Sequence, residues 1–313
     1  MAFGKAVTGI DNSGSFRVYM GISTGIVQEA KKLHNTSPLA THLLGRALTG
    51  TGLMGLMLRE PGMKITMQFK GDGPAGQVLC TADSEGHVKG YIVHPLVEMP
   101  LRDDGSLDVS GALGHGTVTC IRDMADSKEP YVGKVPLESG EIAEDIASYF
   151  YQSEQVKTVV SLGVKLDENG EVLASGGIIV QLLPDASEEA LSALEEWLPD
   201  MPKISELSHE VTSNADGRSD DAVMTEFLER AFLGMPDKFA VKPLDCLDFE
   251  WKCGCSVSRF EQGIISLGVK EISQIIEEDG QAEVICQFCG KKYDFDRKHL
   301  ERLEAVAAAK HID

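Results

Sequence analysis

With 313 residues, the chain is long enough for two domains and a sizeable buried core. Its 29 Lys and Arg against 49 Asp and Glu give a formal charge of −20, which opposes nonspecific binding to nucleic acid and to anionic membrane, both of which need cationic surface. Neither partner is expected. No apolar stretch of signal-peptide type follows Met1 to Lys5, and the most apolar run, Leu43 to Leu58, is broken by Arg46 and several glycines, so a cytoplasmic location is expected.

In chain order, the turn signal Asp11-Asn12-Ser13-Gly14 precedes a predicted strand over Ser15 to Ile22, and Thr24 to His34 reads as a short helix. Ser37-Pro38 places an N-cap before a proline at the first helical position. Leu39, Leu43, Ala47, Leu53, Met54 and Met57 then mark a long buried helix with small residues at Gly45, Gly50 and Gly52. Met63 to Phe69, Gln77 to Ala82 and His87 to Val93 are strands of a meander, which favours an antiparallel sheet. A further strand follows near Gly116 to Arg122. Gly140 to Tyr151 is amphipathic, and Thr158 to Leu166 with Glu171 to Leu183 makes a hairpin. Residues 1–184 are expected to form an α+β core domain of mixed helices and antiparallel sheet.

The segment 185–248 is compositionally distinct. From Asp185 to Glu250 there are 17 acidic and 5 basic residues, so −12 of the net −20 lies in this stretch. Its first helix carries Leu191, Leu194, Trp197 and Leu198 and stops at Pro199. A weaker segment spans Lys203 to Val211. A second helix starts near Ser219-Asp220, with rows Val223, Phe227, Ala231 and Met224, Leu228, Phe232, and ends at Gly234-Met235-Pro236. Short, self-repelling helices need tertiary packing of their apolar face. The segment is therefore either a solvated acidic linker or a metastable element that docks on a neighbour.

Four of the seven cysteines fall in 249–313, as Cys253-Gly254-Cys255 and Cys286-Gln287-Phe288-Cys289-Gly290. In the cytosol, clustered cysteines point to metal or redox chemistry rather than a disulfide framework. A structural Zn²⁺ takes four thiolates in a tetrahedron, each close pair supplying one edge, so Cys253, Cys255, Cys286 and Cys289 are the expected ligands of one Zn²⁺. Gly290 suits the tight turn that lets backbone N–H groups point at sulfur. The C-x-C pair can chelate metal, or close on itself as a small-ring disulfide once the metal leaves. Between the pairs, Ser258-Arg259-Phe260-Glu261 fits a capping box opening a helix that ends near Gly268. Val269 to Glu278 gives another helix and Gln281 to Ile285 a strand. So small a module needs the metal for stability.

Other motifs are set aside. Gly50-Thr51-Gly52-Leu53-Met54-Gly55 and Gly71-Asp72-Gly73-Pro74-Ala75-Gly76 match G-x-G-x-x-G, but neither lies between a strand and a helix. Cys80, Cys120 and Cys246 are isolated and read as small buried hydrophobes, Cys246 least securely. His299 lies too far past Cys289 for a ligand. No constellation for an enzyme active site stands out, and no enzymatic activity is expected.

The cysteine pattern resembles that of the redox-regulated heat-shock holdases of bacteria, the 33 kDa chaperonin family. Leu44-Gly45-Arg46-Ala47-Leu48, Phe69 to Gly76, Gly90-Tyr91, Tyr131-Val132-Gly133, Gly140 to Phe150, Ser153-Glu154-Gln155 and Gly176 to Gln181 are similar to blocks of that family. The resemblance covers nearly the whole chain. It implies an N-terminal core, a helical linker at 185–248 folded over it, and a C-terminal zinc-binding redox-switch domain at 249–313. It further implies an ATP-independent chaperone, inactive while four thiolates hold zinc. Under oxidative stress, disulfides Cys253–Cys255 and Cys286–Cys289 would form, zinc would leave, and unfolding client proteins would be bound, commonly by a homodimer. Two other readings are a permanent zinc ribbon, perhaps for nucleic acid, and a thiol–disulfide oxidoreductase using Cys286 and Cys289. The acidity opposes the first. The second prefers C-x-x-C in a thioredoxin-like βαβ pattern, whereas this pair follows a strand near the chain's end.

Overall fold

The computed structural model describes residues 3–58, 60–123 and 129–310; the start of the Met1–Lys5 stretch and the last three residues of 249–313 lie outside them. Two compact units divide the chain, Met1–Lys252 and Cys253–Asp313. In the first, the elements run β1 (Lys5–Asp11), β2 (Phe16–Ile22), α1 (Thr24–His34), α2 (Pro38–Gly55), β3 (Lys64–Gly71), β4 (Gln77–Asp83), β5 (His87–Ile92), α3 (Val109–Leu113), β6 (Gly116–Arg122) and β7 (Tyr131–Pro136). They continue with α4 (Ala143–Tyr149), β8 (Thr158–Leu166), β9 (Val172–Leu182), α5 (Glu188–Trp197), α6 (Ile204–Ser213), α7 (Asp220–Ala231), β10 (Val241–Asp248) and β11 (Glu250–Trp251). The architecture is α+β, as expected. One sheet has the order β10-β1-β2-β9-β8, the other β11-β5-β4-β3-β6-β7.

Helix α2 organises this unit. The Ser37 hydroxyl accepts the Ala40 N–H at 3.2 Å, and Pro38 opens the helix. Almost every α2 residue is buried, the pattern of a helix enclosed on all sides. Its small residues permit that. A methyl added at Gly52 would lie 2.3 Å from the Phe249 ring, and one at Gly50 would lie 2.4 Å from Ile146. The first G-x-G-x-x-G match is thus close helix packing; the second is the turn between β3 and β4, closed by Gly71 N–H to Gly76 O at 2.9 Å.

The acidic segment is docked. One apolar cluster joins Val7, Phe16, Val18 and Met20 of the five-stranded sheet to Leu194, Trp197, Leu207, Met224, Phe227 and Leu228. Trp197 stacks on Phe232 at 4.6 Å and donates its indole N–H to Ala231 O at 3.1 Å. The apolar rows face the sheet and the carboxylates face water, so the charge that sets the segment apart does not prevent packing.

Two strands follow these helices. β10 pairs antiparallel with β1, from Lys5 opposite Asp248 to Asp11 opposite Val241. β11 pairs parallel with β5, Glu250 opposite His87. Between them Phe249 is 1% exposed, packed against Gly21, Gly52 and Leu53, with its N–H on Gly4 O at 3.2 Å. The stretch 241–251 therefore completes an edge of each sheet, with one phenyl ring inserted between.

The amphipathic stretch expected from Gly140 becomes helical only at Ala143, because both Gly140 (φ +78°) and Ile142 (φ +66°) are left-handed. A positive φ at a β-branched residue is costly and persists only when its surroundings over-determine it. Here the buried Asp145 carboxylate does so. Its Oδ1 accepts the N–H groups of Glu138 (2.8 Å), Ser139 (3.0 Å) and Gly140 (3.2 Å), and Oδ2 that of Ile142 (2.9 Å). Asp145→Asn replaces an acceptor by a donor facing N–H groups. It is expected to cost about 2–3 kcal/mol, read as a lower urea midpoint with unchanged slope.

His42 on α2 supplies a pH dependence. Burial pushes its imidazole down from 6.5 to about 4, and the Arg46 guanidinium adds to this against an opposing pull from Glu141. The folded protein thus prefers neutral His42. Its contribution is complete above the unfolded value of 6.5 and is lost as pH falls toward about 4. Relative to His42→Leu, the natural chain should lose about 2 kcal/mol across that window, allowing for partial solvent contact; urea titrations at several pH values measure the difference.

The second unit holds α8 (Val257–Leu267), α9 (Val269–Glu278), β12 (Gln281–Ile285), β13 (Lys292–Asp296) and α10 (Arg297–Lys310). β12 and β13 form an antiparallel pair. A separate apolar cluster joins Ile264, Ile265, Ile272 and Ile276 to Cys286, Tyr293, Phe295, Leu300 and Leu303. Among the described residues, no helix is long and apolar enough to cross a membrane.

Candidate metal centre

Cys253 and Cys255 lie in extended chain just before α8, and Cys286 and Cys289 in the turn between β12 and β13. The helix after the first pair is capped by Ser256, whose hydroxyl accepts the Arg259 N–H at 3.3 Å. This corrects the capping box expected at Ser258 and Glu261. The extended C-x-C pair runs straight into the helix, so the last non-helical residue is Ser256, and Ser258 is already the second residue of the helix. Glu261 is taken up instead by His299 Nε2 at 2.7 Å, which accounts for that histidine without a metal.

The second pair sits in the turn its glycine predicts. Gly290 has φ +69°, its N–H reaches Cys286 O at 2.8 Å, and Cys286 N–H reaches Lys291 O at 2.9 Å. This geometry turns the Lys291 N–H onto the Cys289 sulfur, and Cys255 N–H serves Cys253 in the same way.

The four sulfurs lie within 4.8 Å of one another. Cys253 Sγ is 3.7 Å from Cys286 Sγ, and Cys255 Sγ is 3.4 Å from Cys289 Sγ. Four thiolates around one zinc at about 2.3 Å would be about 3.8 Å apart, whereas a disulfide needs about 2.0 Å. All four are free thiols. The donor set and spacing fit a four-coordinate thiophilic metal, so these cysteines could hold a metal ion.

The sulfurs are not electrostatically equivalent. Burial pushes Cys253 up to about 12, with further contributions from neighbouring sulfurs against the Cys255 N–H. Burial also raises Cys255, but the Tyr293 hydroxyl, donating at 3.1 Å, and the other three sulfurs outweigh it, leaving Cys255 at about 7. Burial leads the rise at Cys289. Cys255 is thus the sulfur readiest to be a thiolate, the form that binds metal and reacts with oxidants. Tyr293 itself is raised to about 12, first by its bond to Cys255 and then by desolvation.

Tyr293 is the participant that the sequence reading missed. The alternation Lys292-Tyr293-Asp294-Phe295 after the knuckle was its signal, since it marks a strand with Tyr293 and Phe295 on the buried face. The isolated cysteines stay apart from this group. Cys80 and Cys120 are fully buried in the first unit's core, and Cys246 lies on β10 opposite Val7. Among the described residues one other group could hold a cation, Asp83, Glu85 and His87. There Lys252 Nζ already sits 2.9 Å from His87 Nε2, and the Asp83 carboxylate accepts the N–H groups of its own turn.

With this geometry in hand, comparison with known proteins is informative. The family model described as Hsp33 protein matches residues 5–296. This chain belongs to the Hsp33 family. The 33 kDa chaperonin of Alkaliphilus metalliredigens is 41% identical over 292 residues, covering 93% of this chain and 95% of that one. The 33 kDa chaperonin of Clostridioides difficile is 42% identical over 289 residues, covering 92% and 94%. The crystal structure of the Hsp33 homologue from Thermotoga maritima superimposes with a TM-score of 0.81 at 32% identity, covering 98% of this chain and 99% of that one. Hsp33 membership makes the chain a chaperone of the 33 kDa chaperonin family and agrees with the resemblance carried by its cysteine pattern and core blocks.

Proposed function

We propose that this protein is a cytoplasmic, ATP-independent holdase switched on by oxidation of the four clustered cysteines, binding unfolding client proteins under oxidative stress. The observation that carries the reading is the tetrad itself: four free thiols at metal-binding spacing, one held near neutrality by a tyrosine hydroxyl, in a unit with a small core of its own. One Zn²⁺ per chain, when bound, keeps the ligands as thiolates and lends its binding energy to the fold of 249–313. No catalytic role is assigned.

In the proposed switch, Cys253 and Cys255 give up two electrons and form one disulfide; Cys286 and Cys289 form the other. Formation of each disulfide reduces one hydrogen peroxide to two waters, with two protons taken up when both sulfurs start as thiolates. A pair so closed no longer offers two thiolates to metal, and the unit loses that contribution. The acidic segment 185–248 is proposed to act as a separable linker, whose docking through Leu194, Trp197, Met224, Phe227 and Leu228 is given up so that apolar surface reaches clients. A homodimer is the proposed active form.

One observation supports a second reading. The short sulfur contacts run across the pairs, Cys253 to Cys286 and Cys255 to Cys289. Disulfides formed that way would staple the unit shut.

The test is peroxide treatment under mildly unfolding conditions. Zinc release, suppression of client aggregation, disulfide mapping by mass spectrometry and amide exchange over 185–248 are followed together. The switch predicts disulfides within pairs, metal release, increased suppression and faster exchange. Crossed disulfides without gain in suppression favour the staple. Metal release with full protection of 185–248 rules out the linker step.

A further inference from the structure

A cleft of about 300 Å³ opens in the first unit beside the C-terminal end of α2, with Met54, Met57, Leu58 and Phe150 supplying apolar lining and Arg17 and Arg122 supplying charge. Neither the metal centre nor the proposed switch uses it. Met54 and Phe150 are buried parts of the core, while Met57 and Leu58 are half-exposed.

Two observations specify what would fit. Arg122 lines the cleft and pairs with Glu154 through Nη2, while its Nε is enclosed by protein. The Arg17 side chain is exposed and makes no hydrogen bond or ion pair among the described residues. Among the described residues, the charged members of the lining, Arg17, Arg122 and Glu154, sum to a net positive charge. The thioethers add a surface that adapts to irregular apolar shapes. Phe150 and Glu154 bound a single π-helical turn, Phe150–Glu154, a feature often found at functional sites.

We propose that this cleft binds a small apolar molecule bearing a carboxylate, its head on the Arg17 and Arg122 guanidinium groups and its tail on Met54, Met57, Leu58 and Phe150. Forked guanidinium groups match carboxylate geometry. The volume is at the small end of ligand sites. A medium-chain fatty acid and the carboxyl end of an apolar peptide share this chemistry.

The probes are octanoate, octanol, N-acetyl-leucine and N-acetyl-leucine amide, titrated into the full chain by calorimetry. Methyl-labelled methionines report the position. Octanoate is expected to bind saturably and shift the Met54 and Met57 methyl resonances, with octanol at least about tenfold weaker. Arg17→Gln should weaken octanoate about fivefold, the effect of one partly exposed ion pair, and leave octanol unchanged. Arg17 has no partner to lose, so the variant should keep its thermal midpoint, which checks its fold. N-acetyl-leucine matching octanoate while its amide fails assigns the site to a peptide end; octanoate alone assigns it to a fatty acid. The proposal is overturned if octanoate and octanol bind alike, if no probe moves the Met54 and Met57 methyls, or if Arg17→Gln leaves octanoate binding unchanged.

Discussion

Chelating zinc from protein loaded with one equivalent should unfold the second unit outright. Structural zinc on cysteines contributes an apparent ~10–16 kcal/mol at neutral pH, more than the whole stability of many domains. Against that, the apolar cluster of the unit is modest, built on Ile272, Phe295 and Leu300 with a rim of half-exposed side chains. Two of its members, Cys286 and Tyr293, also belong to the metal centre, so the core and the site fail together. Amide exchange should show β12, β13 and the α9–α10 contact losing protection, while the central strands β2, β3 and β9 keep theirs. Cys286→Ser, which removes the most buried ligand, should reproduce this without a chelator. A second unit that keeps its protection after metal removal would show that packing alone holds it, and would remove the physical basis of the switch.

The second large effect is at Phe249. Truncating a fully buried phenyl to Ala typically costs about 3–5 kcal/mol, and this ring sits at 1% exposure against Gly21, Gly52 and Leu53. Phe249→Ala should lower the urea midpoint of the first unit by a corresponding amount, with the greatest loss of exchange protection in β10 and β11. Gly52→Ala attacks the same contact from the helix side, since the added methyl would be 2.3 Å from the ring. The pair should therefore be non-additive, because Phe249→Ala makes room for the methyl. Additive costs would show that the ring and the glycine are not in energetic contact.

What could be read from the sequence follows from the range of the interactions involved. The α2 start at Ser37-Pro38, the hairpin over Asp167 to Gly170 and the knuckle ending at Gly290 rest on residues within a turn of one another. The structure reproduces them closely. So do the four sulfurs, whose chemistry restricts their partners more than their position does. The acidic helices were readable as helices because Val223, Phe227 and Leu228 recur at helical spacing; that they dock depends on Val7, Phe16 and Met20, some two hundred residues away. β10 was missed for the same reason, since the strand it pairs with, β1, lies over two hundred residues away; β1 was missed although it also pairs with the neighbouring β2. The left-handed Ile142 had no local signal at all, since its cause is the side chain of Asp145. The Ser258 box was misplaced because two serines compete, and only the extended path of Cys253–Cys255 decides between them.

The pairing of β1 with β10 also governs how the chain can be made. Lys5 finds its partner at Asp248, so one flank of the first strand stays open until nearly 250 residues have been synthesised. At elongation rates of roughly 5–20 residues per second, that interval lasts about 12–50 s. Throughout it, a nascent β-edge is available to neighbouring chains. A chaperone thus emerges from the ribosome with its own first strand uncovered, and that strand can be closed only in the last stages of its synthesis.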